Sequence, residues 1–239
     1  MNVRLTVIGS SPAWPNPGSA HAGYLVESNG SRLLLDCGPG VLARLRTREL
    51  LPVDAIAITH FHLDHFGDLL PWVWFVQHGH GPDGATELWL PPEGAQTLAE
   101  FAARLGHDSI FERAFTVREF APRRRFAAGG LEVEAIPVEH YNVPAFGFRV
   151  RGPEGALLAY SGDTSPCPGL AEIARGADLF LCEATLASGA DDGAPRGHLA
   201  ADEALAVAGG RTLLTHRAAE LPLPPGAQRA SEGLVVELP

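Results

Sequence analysis

Three imidazoles and a carboxylate fall within six consecutive positions, His60-Phe61-His62-Leu63-Asp64-His65. Histidine nitrogen and aspartate oxygen at this density are the donors a divalent cation prefers, zinc first, with manganese or iron also suited to such a set. The run Val53-Asp54-Ala55-Ile56-Ala57-Ile58 before the motif has strand character, and Phe66 to Trp74 after it is largely apolar. The ligands are therefore expected in a strand-to-helix loop. A hydrolytic site with two metals needs about six or seven such ligands and a shared water, so the motif supplies only part of one.

Three later positions share a local grammar, an imidazole or carboxylate just after an apolar run. They are His140 after Ile136-Pro137-Val138-Glu139, Asp163 after Leu157-Leu158-Ala159-Tyr160-Ser161-Gly162, and His216 after Leu213-Leu214-Thr215. Strand ends at one rim can converge in space. Taken singly, each would be an ordinary capping aspartate or hydrogen-bonded histidine; together with the motif they make a ligand set. His78-Gly79-His80, between glycines and followed by Pro82, reads as a surface loop instead of a ligand pair, and His107 as a solvated loop residue. Arg123-Arg124-Arg125 reads as a solvated loop that could still reach phosphate. Two loops have no motif that names a substrate: the Pro/Gly/Ser-rich Ser10 to His21, exposed and irregular, and Trp72 to Asp83.

These donors must be positioned by the elements around them. Strands are expected at Val3 to Ile8, Tyr24 to Glu27, Arg32 to Asp36, Glu87 to Leu90, Leu131 to Val138, Ala145 to Val150, Ala156 to Tyr160, Ala177 to Leu181 and Arg211 to Leu214. Asn29-Gly30 is a hairpin signal. Helices are expected at Val41 to Arg48, ended by Pro52, from about Phe66, at Gly94 to Leu105, Gly169 to Arg175 and Ala200 to Ala208. Both halves run strands first and helices later, which predicts two facing sheets with helices outside. The 239 residues, 46% of them hydrophobic, are expected to form one α/β (α+β) domain over 1–239.

A net charge of −10 argues against coating nucleic acid through bulk electrostatics. Every basic residue is arginine, which removes Schiff-base chemistry and a P-loop lysine. The three cysteines, Cys37, Cys167 and Cys182, are widely spaced and read as buried thiols, not a disulfide framework. No apolar run reaches membrane-spanning length, and the N-terminus alternates like a strand, so a cytoplasmic protein without membrane contact is expected.

The order His-x-His-x-Asp-His, then His140, Asp163 and His216, resembles the metallo-β-lactamase superfamily of αββα hydrolases over nearly the whole chain. The resemblance implies a four-layer αββα sandwich. It also implies two divalent ions, one held by His60, His62 and His140, the other by Asp64, His65 and His216, with Asp163 bridging at about 3.5 Å separation. A metal-bridging hydroxide would be the nucleophile, and Asp64 could orient it. Cys182-Glu183-Ala184-Thr185 and Gly197-His198-Leu199 look like the ribonuclease Z and cyclic-nucleotide phosphodiesterase branch. In that branch His198 would donate to a phosphoryl oxygen or leaving group, with Glu183 orienting it; otherwise His198 simply starts a helix.

Two departures narrow the expectation. Ribonuclease Z proteins insert a tRNA-binding arm between the positions matching His140 and Asp163, where this chain has 22 residues. After His216, Arg217-Ala218-Ala219-Glu220 replaces the Ser-Pro-Arg-Tyr-like continuation of tRNA processors. The expected activity is hydrolysis of a small phosphodiester, not of long nucleic acid. The alternatives are a thioester, lactone or β-lactam hydrolase on the same metals, a ribonuclease Z-type tRNA 3′ endonuclease, and a di-iron redox or non-catalytic relative. A homodimer is expected from the resemblance.

Overall fold

The computed structural model describes residues 3–81 and 86–239. The first half runs β1 (Val3–Gly9), β2 (Gly23–Ser28), β3 (Ser31–Leu35), α1 (Val41–Thr47), β4 (Ala55–Ala57), α2 (Leu63–Phe66), α3 (Leu69–Gln77), β5 (Thr86–Leu90), α4 (Gly94–Arg104) and β6 (Phe115–Glu119). The second runs β7 (Arg125–Ala128), β8 (Leu131–His140), β9 (Val143–Arg151), β10 (Leu157–Tyr160), α5 (Pro168–Ala174), β11 (Leu179–Glu183), α6 (Ala201–Val207), β12 (Thr212–Thr215) and β13 (Gln228–Arg229); β14 (Val235–Leu238) returns to the first sheet. The strand orders are β14-β1-β2-β3-β4-β5-β6 and β13-β12-β11-β10-β9-β8-β7.

Side chains that alternate along each strand divide these sheets into layers. Leu33, Leu35, Ala55 and Ala57 meet Val133, Phe148, Leu158, Leu181 and Leu213 in a core between the sheets. The intervening Leu34 and Ile56 face outward onto Val41, Leu45, Trp72 and Leu98 of α1, α3 and α4. On the other side Ala159, Phe180, Cys182 and Leu214 face Leu170, Ile173 and Ala204 of α5 and α6. Both faces of the central strands are thus buried, so their sequences are nearly continuous apolar runs. This is the αββα arrangement.

Each sheet is part antiparallel and part parallel: β3 to β6 run parallel, as do β10 to β13. The β8–β9–β10 ladder is antiparallel throughout, so β8 points the same way as β10. The carboxyl ends of β8, β10, β11 and β12 therefore lie on one rim, where His140, Ser161, Glu183 and His216 end or follow them.

Some boundaries differ from the expectation. The α1 helix stops at Thr47, with Glu49 in the left-handed region (φ 57), before Pro52 is reached. The helix expected from about Phe66 is two pieces, and its first turn, α2, already carries Asp64 and His65. Trp72 to Gln77 belongs to α3, so that part of the expected loop is helical; Pro82 and Asp83 lie outside the described residues. Arg125 opens β7 instead of sitting in a loop, and Ser10, Ser11 and His21 at the ends of the Ser10 to His21 loop are buried. The β6, β7, β13 and β14 strands went unread. Among the described residues no helix is long and apolar enough to cross a membrane.

Candidate metal centre

The chain leaves β4 through Ile58, which donates to the Trp89 carbonyl, and then meets Asp36 at the end of β3. Asp36 is fully buried and sits at φ 58, a conformation costing an L-residue roughly 1–3 kcal/mol. Its carboxylate accepts from the Thr59 backbone N–H (2.8 Å), the Thr59 hydroxyl (3.0 Å), Tyr160 Oη (2.8 Å) and His65 Nδ1 (2.7 Å). That web draws β3, the β4 loop, α2 and β10 onto one carboxylate. It also fixes tautomers: the Thr59 hydroxyl, spent as a donor on Asp36, accepts from His60 Nδ1 at 3.0 Å. With Nδ1 of His60 and His65 committed, each ring presents Nε2 inward.

The second sheet does the same. His140 Nδ1 donates to the Gly197 carbonyl at 2.6 Å. His216, at φ 50, directs Nδ1 to the Thr185 hydroxyl (2.8 Å), which in turn donates to Glu183 Oε2 (2.7 Å). His216 Nε2 lies 3.0 Å from Asp64 Oδ2, and His140 Nε2 lies 3.0 Å from His62 Nδ1.

All nine residues singled out in the sequence come together. His60, His62 and His140 form one group and Asp64, His65, Asp163 and His216 another, with donor atoms inside each group within 4.8 Å of one another. Oδ2 of Asp163 is 3.3 Å from His65 Nε2, 3.5 Å from His216 Nε2 and 4.0 Å from His60 Nε2, so one carboxylate faces both groups. His198 and Glu183 stand beside them, Nδ1 to Oε1 at 2.9 Å. The Glu183 carboxylate is buried and also accepts from the backbone of Thr164, Thr185 and Leu199. Of the histidines set aside in the sequence, His78, His80 and His107 are exposed and join none of these groups.

A divalent cation fits this cluster. His60 Nε2, His65 Nε2 and Asp163 Oδ1 are buried with no hydrogen-bond partner, a costly arrangement unless something else engages them. Burial pulls the pKa of His60, His62 and His140 down, which keeps them neutral and able to ligate. For Asp163 burial works the other way, but His216 and His65 outweigh it and hold the carboxyl well below the usual range; His216 and His65 do the same for Asp64. At His65 burial is overridden by Asp163 and Asp36, which raise its pKa well above normal. The buried field is negative and calls for cations.

Several residues of this site were not singled out in the sequence. Asp36 was read only as the last residue of the Arg32 to Asp36 strand, although it closes an apolar run as Asp163 does. Thr59, Thr185 and Tyr160 act through partners 23 to 124 positions away, which spacing cannot show. Tyr141, at φ 49, packs its ring on His140 (centroids 4.8 Å apart) and His198 (5.5 Å).

Residues 31–216 match the beta-lactamase superfamily domain. An uncharacterized protein of Mycobacterium tuberculosis is 35% identical over 189 residues, which span 77% of this chain and 68% of that protein. Ribonuclease Z of Mycobacterium marinum is 30% identical over 195 residues, 75% of this chain and 69% of that one. The crystal structure of the metallo-beta-lactamase fold protein YhfI from Bacillus subtilis superposes with a TM-score of 0.82 at 23% identity, covering 99% of this chain and 100% of YhfI.

Proposed function

This chain belongs to the metallo-β-lactamase superfamily, and from that premise we propose that it is a metal-dependent hydrolase of small phosphodiesters. His60, His62 and His140 would hold one divalent ion and Asp64, His65 and His216 a second, with Asp163 shared between them. When bound, such ions supply Lewis acidity, making water a better nucleophile and offsetting charge on phosphoryl oxygens; zinc suits these donors best.

The observation that carries the choice of substrate is His198. Burial pulls its pKa down, but the Glu183, Asp163 and Asp192 carboxylates override this and push it up to about 9. The Glu183 carboxylate at 2.9 Å thus favours the protonated ring, with Nδ1 held by Glu183 and Nε2 left to act. As the P–O bond breaks, the leaving oxygen takes the Nε2 proton, and Glu183 steadies the ring in the correct tautomer while its charge changes. A carbonyl substrate with a good leaving group needs no such donor. The likeness to ribonuclease Z of M. marinum supports a phosphodiester. Between His140 and Asp163 the chain is occupied by β9 and β10, which supports a substrate smaller than tRNA.

Protein loaded with zinc is expected to hydrolyse bis-p-nitrophenyl phosphate and cyclic nucleotides, and His198→Ala to lower kcat by about 10²- to 10⁴-fold on cyclic nucleotides, whose alkoxide leaving group needs the proton, and much less on the nitrophenyl diester. Turnover of thioesters or lactones with no activity on the phosphodiesters would replace this reading with a carbonyl hydrolase.

A further inference from the structure

A cavity of about 740 Å³ opens directly from the cluster, with His62 and His198 in its wall. Part of its lining is apolar: Trp14, Tyr141, Leu186 and Leu221 contribute to it. Trp14 is 52% exposed and Tyr141 40% exposed, so two aromatic faces stand in solvent at the mouth of a hydrolytic centre. Exposed aromatic surface of this kind is stabilised by a ring stacking on it.

Apart from His198 beside the metal cluster, the charged residues of the cavity all have one sign. Asp191, Asp192 and Glu220 line it, and no arginine does. The two arginines nearest in sequence are occupied elsewhere. Arg196 is paired with Glu203 (2.8 Å), and Arg217 is buried with its guanidinium on the Ala184, Leu186 and Pro222 carbonyls. Asp192 is fixed as an anion by the backbone N–H groups of Gly197 (2.8 Å) and His198 (3.0 Å) and takes the Tyr141 hydroxyl at 3.3 Å. Glu220 is exposed. A pocket built to receive phosphates beyond the reacting one would offer guanidinium groups; this one offers carboxylates.

We propose that this cavity is the subsite for an uncharged, ring-bearing group of the substrate, and that its three carboxylates turn away substrates carrying further negative charge. The proposal rests on the phosphodiesterase reading and sharpens it. Trp14 and Tyr141 hold the ring, the single phosphodiester charge lies over the metal cluster, and Glu220 and Asp191 face whatever extends beyond. Polyanionic chains are rejected by repulsion at this wall.

The test compares zinc-loaded enzyme on bis-p-nitrophenyl phosphate and on its analogue bearing a carboxylate on each ring, so that whichever ring enters the cavity is charged. The wild type is expected to prefer the uncharged diester by about tenfold in kcat/KM, through KM. Glu220→Arg is expected to narrow that ratio several-fold and Glu220→Gln less, intrinsic reactivity cancelling between variants. Trp14→Ala is expected to raise KM for the uncharged diester while kcat holds. An unchanged ratio in Glu220→Arg, or a Trp14→Ala that lowers kcat and leaves KM alone, overturns the subsite while the phosphodiesterase reading stands. No turnover of either diester alongside hydrolysis of a thioester or lactone overturns both.

Discussion

At the scale of single residues, the centre depends on a carboxylate that touches no substrate. Asp36 fixes His65 through Nδ1 and His60 through Thr59, so both rings are aimed before any cation arrives. Asp36→Asn keeps the shape and removes the charge. It is expected to cost about 10- to 100-fold in zinc affinity, read by competition with a chromophoric chelator. The pH dependence carries the same signature. Asp163 and Asp36 raise the His65 pKa well above normal, so a proton on its ring is held firmly and must leave before it can ligate. Wild-type affinity therefore falls as the pH drops. In Asp36→Asn the His65 pKa comes down, so the affinity is weaker but its slope against pH near neutrality is shallower. An equally steep slope in the variant would remove Asp36 from this role.

At the scale of elements, the loop after β3 and the α2 turn are packed backbone to backbone. The Cys37 N–H donates to the His65 carbonyl at 2.6 Å and the Ala22 N–H to the Asp64 carbonyl at 3.2 Å. A Cβ on Gly38 would run into that same Asp64 carbonyl and the His21 side chain, so only glycine allows the approach. Gly38→Ala is expected to displace α2, lowering zinc content per chain and activity together, while far-ultraviolet circular dichroism shows the sheets retained. Full zinc content in this variant would show the approach to be dispensable. The same packing explains what could be read from sequence. His60, His62, Asp64 and His65 are neighbours in the chain, and His140, Asp163 and His216 follow apolar strands, so local grammar exposes them. Asp36 was legible by the same rule and was passed over because it was counted as the last residue of its strand. The β6 and β14 strands escaped because they lie at sheet edges, where one-sided burial and short length blur the apolar pattern.

At the scale of the molecule, the donor set spans the sandwich: His60, His62, Asp64 and His65 follow β4 of one sheet, and His140, Asp163 and His216 close strands of the other. A cation held by this set ties the layers together at the rim, where the interlayer core gives way to polar residues. Two other polar links cross there, Tyr160 to Asp36 at 2.8 Å and Tyr24 to Thr215 at 2.6 Å, and each engages a residue next to the donors in sequence or space. Metal binding should therefore couple to global stability. A ligand at about 1,000 times its dissociation constant stabilises by roughly 4 kcal/mol, and in a chain of this size each kcal/mol moves Tm by about 2–4 °C. Removing metal with a chelator is expected to lower Tm on the order of 10 °C, reversed by added zinc. The protein should stay folded at room temperature, because Leu33, Leu35, Val133, Phe148 and Leu213 keep the sheets together without help from the rim. His65→Ala and His216→Ala, which cut the tie from opposite sheets, should each reduce the zinc-dependent part of Tm, and combining them should cost less than the sum because both act on one link. A Tm indifferent to the chelator in protein shown to bind zinc would mean that the ions occupy the rim without bracing it.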